Sequence, residues 1–194
     1  SRSGVTFSIH SVTQTITSFE GAHALGPFRA RQLLERLQSL NDRVARLDAR
    51  YVHLVWSDQP PSAQLQQQLA ALLDYGEPYT GTTEGALVVV TPRLGTVSPW
   101  ASKATDIAHN CALDVHRIER VVEYRIGLKS GLLGRSQLSA PQLQALAAAL
   151  HDRMTESVVF ARAEASQLFV ELAAPGLEQI DVLRGSAAML FGRG

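Results

Sequence analysis

Residues 86–111 read ALVVVTPRLGTVSPWASKATDIAHNC, and this stretch decides the fold. Its first six residues form a short, β-branched apolar run suited to a buried central strand. Pro92 and Gly95 end that run. Ser98 is a good helix N-cap, and Pro99 suits the first helical position, where its missing N–H would be unpaired anyway. Trp100, Ala104, Ile107 and Cys111 are then spaced as the apolar stripe of a helix. The next segment, Arg117 to Ile126, alternates. Ile118, Val122, Tyr124 and Ile126 share one face, which Arg120 interrupts; Arg117, Glu119, Glu123 and Arg125 share the other. That alternation predicts a half-exposed strand of an open-faced sheet. The unit is strand–helix–strand.

Working outward, the same pattern recurs upstream. Gln14 to Phe19 is short and β-branched, a strand that Gly21 to Gly26 should break. Pro27 opens a helical pattern in which Leu33, Leu37, Leu40, Val44 and Leu47 fall on one stripe. Arg50 to Trp56 reads as a strand. Ser62 can cap a helix carrying Leu65, Leu69, Leu72 and Leu73, and Tyr75 to Gly85 is a turn-rich, exposed connection. Downstream, Gly127 to Gly134 is a break, Ser139 to Gln142 a capping-box start, and Leu143, Leu146, Leu150 and Met154 a further helical stripe. The order is β-α-β-α-β-α-β, then α. Residues 14–57 and 86–126 make two similar halves. The expectation is an α+β two-layer sandwich, a mainly antiparallel sheet with helices on one face.

Composition sets the boundaries. The 194 residues suffice for one domain, or one with a short appendage. A hydrophobic share of 45% against 19% charged is globular and not that of a disordered tail. Lys+Arg and Asp+Glu both total 18, so there is no long-range field for nucleic acid or an anionic membrane, and neither is expected as a partner. Cys111 is the single cysteine, which excludes an internal disulfide framework and a multi-cysteine zinc site. No apolar run of about 18 residues and no secretory leader is visible, so the expected location is cytoplasmic. Residues 1–13 look like a ragged end. The start at Ser1 and the loop-like end FGRG suggest a fragment, and the last stretch, interrupted by Pro175-Gly176 and Gly185, reads as the start of a linker or of a second domain that is cut off.

Complete catalytic sets are missing from the pattern. The loop before Ser98, with Arg93 and Lys103 near a helix N-terminus, could hold a phosphate or carboxylate; a rigid capped turn in which Arg93 makes a structural contact explains the same residues. Asp106 and His109 share a helix face as i,i+3 neighbours, but a metal or acid–base site needs a third group. Cys111 falls on the apolar stripe, where a buried small hydrophobe is the default reading. His53 reads as a packed or surface histidine, and His151, Asp152 and Arg153 are chain neighbours that do not face one another. No phosphate-binding Walker loop, nucleophile elbow or dinucleotide fingerprint occurs.

The stretch Val90 to Leu113, VTPRLGTVSPWASKATDIAHNCAL, resembles the N-terminal region of the large single-chain phosphoribosylformylglycinamidine synthase. Further segments agree in the same order: ALGPFRARQLL at Ala24–Leu34, ARYVH at Ala49–His53, LLDYG at Leu72–Gly76, RIERVVEY at Arg117–Tyr124 and LHDRMTE at Leu150–Glu156. The resemblance implies a glutamine-dependent ligase of purine biosynthesis as the parent chain. That enzyme turns formylglycinamide ribonucleotide, ATP and glutamine into the amidine, ADP, phosphate and glutamate. It also implies that the N-terminal domain is pseudo-duplicated, like a dimer of the small S subunit of the multi-subunit enzyme. On this basis residues 14–127 are the S-subunit-like domain and 128–194 the beginning of a helical linker. The family's catalytic histidine motif, its ATP and magnesium ligands and its glutaminase triad match no position here. No catalytic residue or metal ligand is therefore expected in this piece, which needs no cofactor; ATP and magnesium belong to the parent enzyme. What carries over is the motif Thr91, Pro92, Arg93, Gly95, Thr96, Ser98, Pro99, Trp100, Ser102, Lys103, Thr105, Asp106 and His109. Its exposed members are expected to face the glutaminase and synthetase domains.

Overall fold

In the computed structural model, which describes residues 15–130 and 137–169, the deciding stretch folds as strand, turn and helix. Strand β3 is Ala86–Pro92 and carries Val88, Val89 and Val90 into the core on both sheet faces. Before it come β1 (Thr15–His23), helix α1 (Pro27–Leu40), β2 (Val44–Ser57) and α2 (Ala63–Leu72). After it come α3 (Pro99–Asn110), β4 (Arg117–Leu128), α4 (Ala140–Leu150), β5 (Glu156–Val159) and a 3-10 turn at Arg162–Ser166. The five strands form one sheet in the order β1-β2-β4-β3-β5, and every pair is antiparallel. Residues 1–13, read as a ragged end, Gln14, the Gly131–Gly134 part of the expected break and the chain after residue 169 lie outside the described residues.

The two halves are visible as topology. Each is β-α-β-α, and the two long strands β2 and β4 pair along the centre, with β1 and β3 outside them. The four α-helices named above lie on one face. Leu33 and Leu37 of α1 and Leu146, Ala147 and Leu150 of α4 pack over Leu47, Ala49, Val88, Val90, Tyr124 and Ile126. Leu69 and Leu73 from α2 and Ala108 of α3 pack over Val55 and Ile118. Thus α4 closes over the first half's helix and α2 over the second's. The α+β two-layer sandwich is the observed fold. The stretch after residue 127, read as the opening of a linker, contributes α4 and β5 to this same sheet and core.

Start signals in the sequence act as expected. The Ser62 and Ser98 hydroxyls accept from Leu65 N and Ala101 N at 3.1 Å each, and Ser139 with Gln142 forms a full capping box.

Four expectations are corrected. The stripe from Leu33 to Leu47 is not one helix: α1 stops at Leu40, and Arg43 N donates to Asn41 Oδ1 in a turn at 3.0 Å. A bulge at the start of β2 sets Val44 and Arg46 opposite the adjacent residues Leu128 and Gly127. It turns Val44 and Leu47 to the same face, so a strand imitates helical spacing. Gly21 does not break β1, which continues to His23 through a bulge. On α3 the buried residues are Ala101 and Ala108, whereas Ile107 and Cys111 are exposed; the apolar stripe is rotated from the one expected. Met154 lies beyond α4, fully in solvent at 77% exposure.

The largest difference concerns β4. Its polar face is covered: Arg117, Glu119 and Glu123 are all buried. After β5 the chain crosses beneath the sheet, and Ala165, Leu168 and Phe169 pack on Val52, Leu54, Val89 and Val121. The buried charges lie in ion pairs, fully hydrogen-bonded at Glu123, whereas the Glu119 oxygens and Arg117 Nε and Nη1 make no hydrogen bond. Glu123 accepts from Arg50 Nε and Nη2 at 3.2 and 3.1 Å, and from Arg162 Nε and Nη2 at 3.0 and 3.1 Å. Glu119 pairs with Arg117, which also donates to the Thr96 carbonyl at 3.2 Å. Burial alone would raise the Glu123 carboxyl, but the hydrogen bonds and charges of Arg162 and Arg50 outweigh it and hold it below the usual range.

Candidate functional site

The motif 91–109 sits where β3 leaves the sheet. Thr91 is buried at the strand end, and Pro92 faces Glu156 of β5. Arg93 to Thr96 form a turn in which Thr96 N donates to the Arg93 carbonyl at 3.2 Å. Gly95 occupies the left-handed region at φ +86, which explains the glycine. Arg93 is engaged inside the chain: its N–H donates to the Thr155 carbonyl at 3.0 Å and its Nη1 to the Met154 carbonyl at 3.2 Å. Ser98 is occupied by capping α3, with Pro99 behind it. Arg93 and the Ser98 cap therefore already have structural work, whereas Lys103, the other charge of the anion reading, is exposed.

Along α3 the motif divides. Thr105 faces inward, its Oγ1 accepting from Ile118 N at 3.0 Å and so tying the helix to β4. His109 donates from Nε2 to the Val115 carbonyl at 2.8 Å, which fixes the turn after the helix. Ser102, Lys103 and Asp106 are exposed and without a hydrogen bond or ion pair to a side chain elsewhere in the described residues. Asp106 and His109 thus do not act as a pair. Among the described residues, no group of three His, Cys, Asp or Glu is placed to hold a metal ion.

Trp100 leads to what the motif by itself did not disclose. Its ring lies 4.6 Å from the Arg120 guanidinium and 5.6 Å from the His53 ring. Arg120 also lies 4.2 Å from the Tyr51 ring, and its Nη1 donates to the Tyr75 hydroxyl at 3.1 Å. That hydroxyl is 2.7 Å from His53 Nε2. The Tyr75 hydroxyl thus accepts from Arg120 and shares a hydrogen bond with His53 Nε2, while the buried His53 Nδ1 has no hydrogen-bond partner. Burial and the nearby Arg120 charge lower His53 to about 4. Space for the ring exists because residue 21 is glycine: a Cβ there would meet His53 Cε1 at 2.7 Å and the Tyr51 carbonyl at 3.0 Å.

This cluster occupies the gap between the two helix pairs. Its Tyr51, Trp100 and Arg120 line a cleft of about 580 Å³ together with Thr91, Pro92, Arg93, Thr96, Val97 and Met154. One signal for it stood in the sequence: Arg120 as the lone charge on an otherwise apolar strand face. Tyr75 lay in a segment read only as an exposed turn, and nothing in the pattern pointed it at His53.

Fold and site together define a pseudo-duplicated α+β sandwich whose longest motif presents a polar helix face beside an arginine-centred cleft. A family model for the formylglycinamide ribonucleotide amidotransferase N-terminal region matches residues 50–169, well over half of the chain. The chain belongs to that family, the N-terminal part of phosphoribosylformylglycinamidine synthase of purine biosynthesis. The match runs from β2 through the 3-10 turn, so it takes in both central strands, the cleft and the segment that covers the second sheet face. No helix of the described residues is long and apolar enough to cross a membrane.

Proposed function

We propose that this chain is the non-catalytic coupling and assembly domain of its parent synthase. In this reading the parent forms the amidine from formylglycinamide ribonucleotide, ATP and glutamine, using magnesium at its synthetase domain. The present domain docks on the synthetase and glutaminase domains and supports transfer of ammonia between them. The observation that carries the reading is the family match at residues 50–169, which spans a motif divided in two. Thr91, Arg93, Thr96, Ser98, Thr105 and His109 build the turn and hold α3 to the sheet, while Ser102, Lys103 and Asp106 are turned outward from it. Residues of the second kind, held on a rigid helix, suit contact with another domain.

Complementation tests it. The chain is mixed with a second polypeptide carrying the remaining synthase domains, and glutamine-dependent amidine formation is measured. Activity is expected only with both present, and Lys103→Glu and Asp106→Lys are expected to weaken it. Full activity of the second polypeptide alone would refute the coupling role, and glutamine hydrolysis by the first alone would refute its non-catalytic character.

A further inference from the structure

Arg120 is held unlike the arginines that pair with acids. Arg46, Arg50, Arg117 and Arg162 each pair with a carboxylate. Arg120 lies against two aromatic rings and one tyrosine hydroxyl, and has no carboxylate partner among the described residues. It faces the cleft of about 580 Å³ at the centre of the helix-covered face. The acid that lines this cleft, Glu156, accepts from the backbone N–H of Asp152 at 2.9 Å, and Arg93 is spent on the Met154 carbonyl. The result is a planar five-donor cation whose orientation is already set, in a partly apolar cleft whose one lining acid, Glu156, does not pair with it. Fixing a long side chain before binding removes part of the ordering cost of association. At the rim, Val97 and Met154 are 47% and 77% exposed. Arginine, tryptophan, tyrosine and methionine are the residues enriched at the cores of protein interfaces.

We propose that the Arg120 cleft is a docking site for a segment of a partner domain that sets a carboxylate side chain on the guanidinium and lays apolar flanks on Val97 and Met154. The proposal rests on the docking role given above and names the chemistry of the partner. Charge complementarity selects the carboxylate, because the guanidinium lacks one. The exposed apolar rim selects a protein segment over a free small acid, which would leave that rim in water.

The experiment is titration calorimetry of the chain against the polypeptide carrying the remaining synthase domains, at low and high salt. Binding is expected to weaken with salt. Arg120→Gln should raise Kd by about 30-fold or more, as removal of one partner of a desolvated charge pair does. Arg120→Lys should fall between, because it keeps the charge and loses the fork. Should Arg120→Gln fail to fold, Met154→Asp decides: it lies in solvent, leaves the core untouched, and should raise Kd about tenfold by setting a like charge beside the incoming carboxylate. A complex that forms while the folded variants bind within about twofold of the parent overturns the cleft and leaves the docking role standing. Absence of any complex overturns both. Free glutamate binding to the chain alone, with loss of that binding in Arg120→Gln, would give the cleft to a small acid and overturn the docking proposal.

Discussion

Glu123→Gln is the sharpest probe of how the two sheet faces are closed. The carboxylate is 2% exposed and receives four hydrogen bonds, two from Arg50 on β2 and two from Arg162 beyond β5. Glutamine keeps the shape, but removes the charge and turns an N–H₂ toward one guanidinium. Breaking a buried pair from one side costs about 3–5 kcal/mol. Glu20 stays within 3.3 Å of Arg50 and 3.7 Å of Arg162 and softens the loss. The expected cost is therefore about 3 kcal/mol, near the lower end of that range. Urea unfolding at pH 7 reads it as a lower midpoint at an unchanged slope. Hydrogen exchange in residues 160–169 should quicken, because Arg162 anchors that segment to β4. The pH dependence adds a second check. Glu123 is held below its ordinary value, so its contribution is present above the unfolded pKa and is lost as pH falls through the folded one. The gap between the parent and the glutamine variant should narrow on acidification. A cost under about 1 kcal/mol, or a gap that does not narrow in acid, would refute the description of Glu123 as a buried ionised anchor.

Three further outcomes follow from single sites. His53, fully buried and lowered to about 4, should stay neutral in the native state while the unfolded chain protonates near its ordinary value of 6.5. Its contribution is complete above pH 6.5 and falls away toward pH 4 by about 3 kcal/mol, a slope that His53→Gln should abolish; an NMR midpoint above 6 for this ring would contradict it. Ala112 closes α3 in the left-handed region at φ 61, with Leu113 N returning to the Ala108 carbonyl at 3.0 Å. Ala112→Gly should stabilise by about 0.5–1 kcal/mol, raising Tm by about 1–4 °C in calorimetry. Leu37→Ala should cost about 2–5 kcal/mol in the same denaturation assay, while Leu40→Ala, on the exposed end of the presumed stripe, should change stability by no more than about 0.5 kcal/mol.

Much of the fold was legible because local rules are short-range. Ser62, Ser98 and Ser139 announce helices through bonds three residues away, and the sheet accepts Val88–Val90 because nothing polar interrupts them. The misread stripe at Leu33–Leu47 shows where such rules stop. A bulge gave a strand the spacing of a helix, and only pairing with β4 distinguishes the two.

By itself, then, the sequence determined the element order as far as α4, the helix starts, the duplicated strand–helix–strand plan and, through residues 90–113, the family; β5 was not in that reading. Tertiary structure alone decided which surfaces are inside. Alternation marks a polar strand face but says nothing of what lies across it. Arg117, Glu119 and Glu123 looked solvated until the chain after β5 brought Arg162, Leu168 and Phe169 beneath them. The same holds for the Arg120 cluster beside the cleft. Tyr51, Tyr75, Trp100 and Arg120 belong to four separate segments, and only the closing of two helix pairs over one sheet brings them together. The physical reason is common to both: capping and periodicity act within a few residues, whereas burial and charge pairing depend on contacts between segments far apart in the chain.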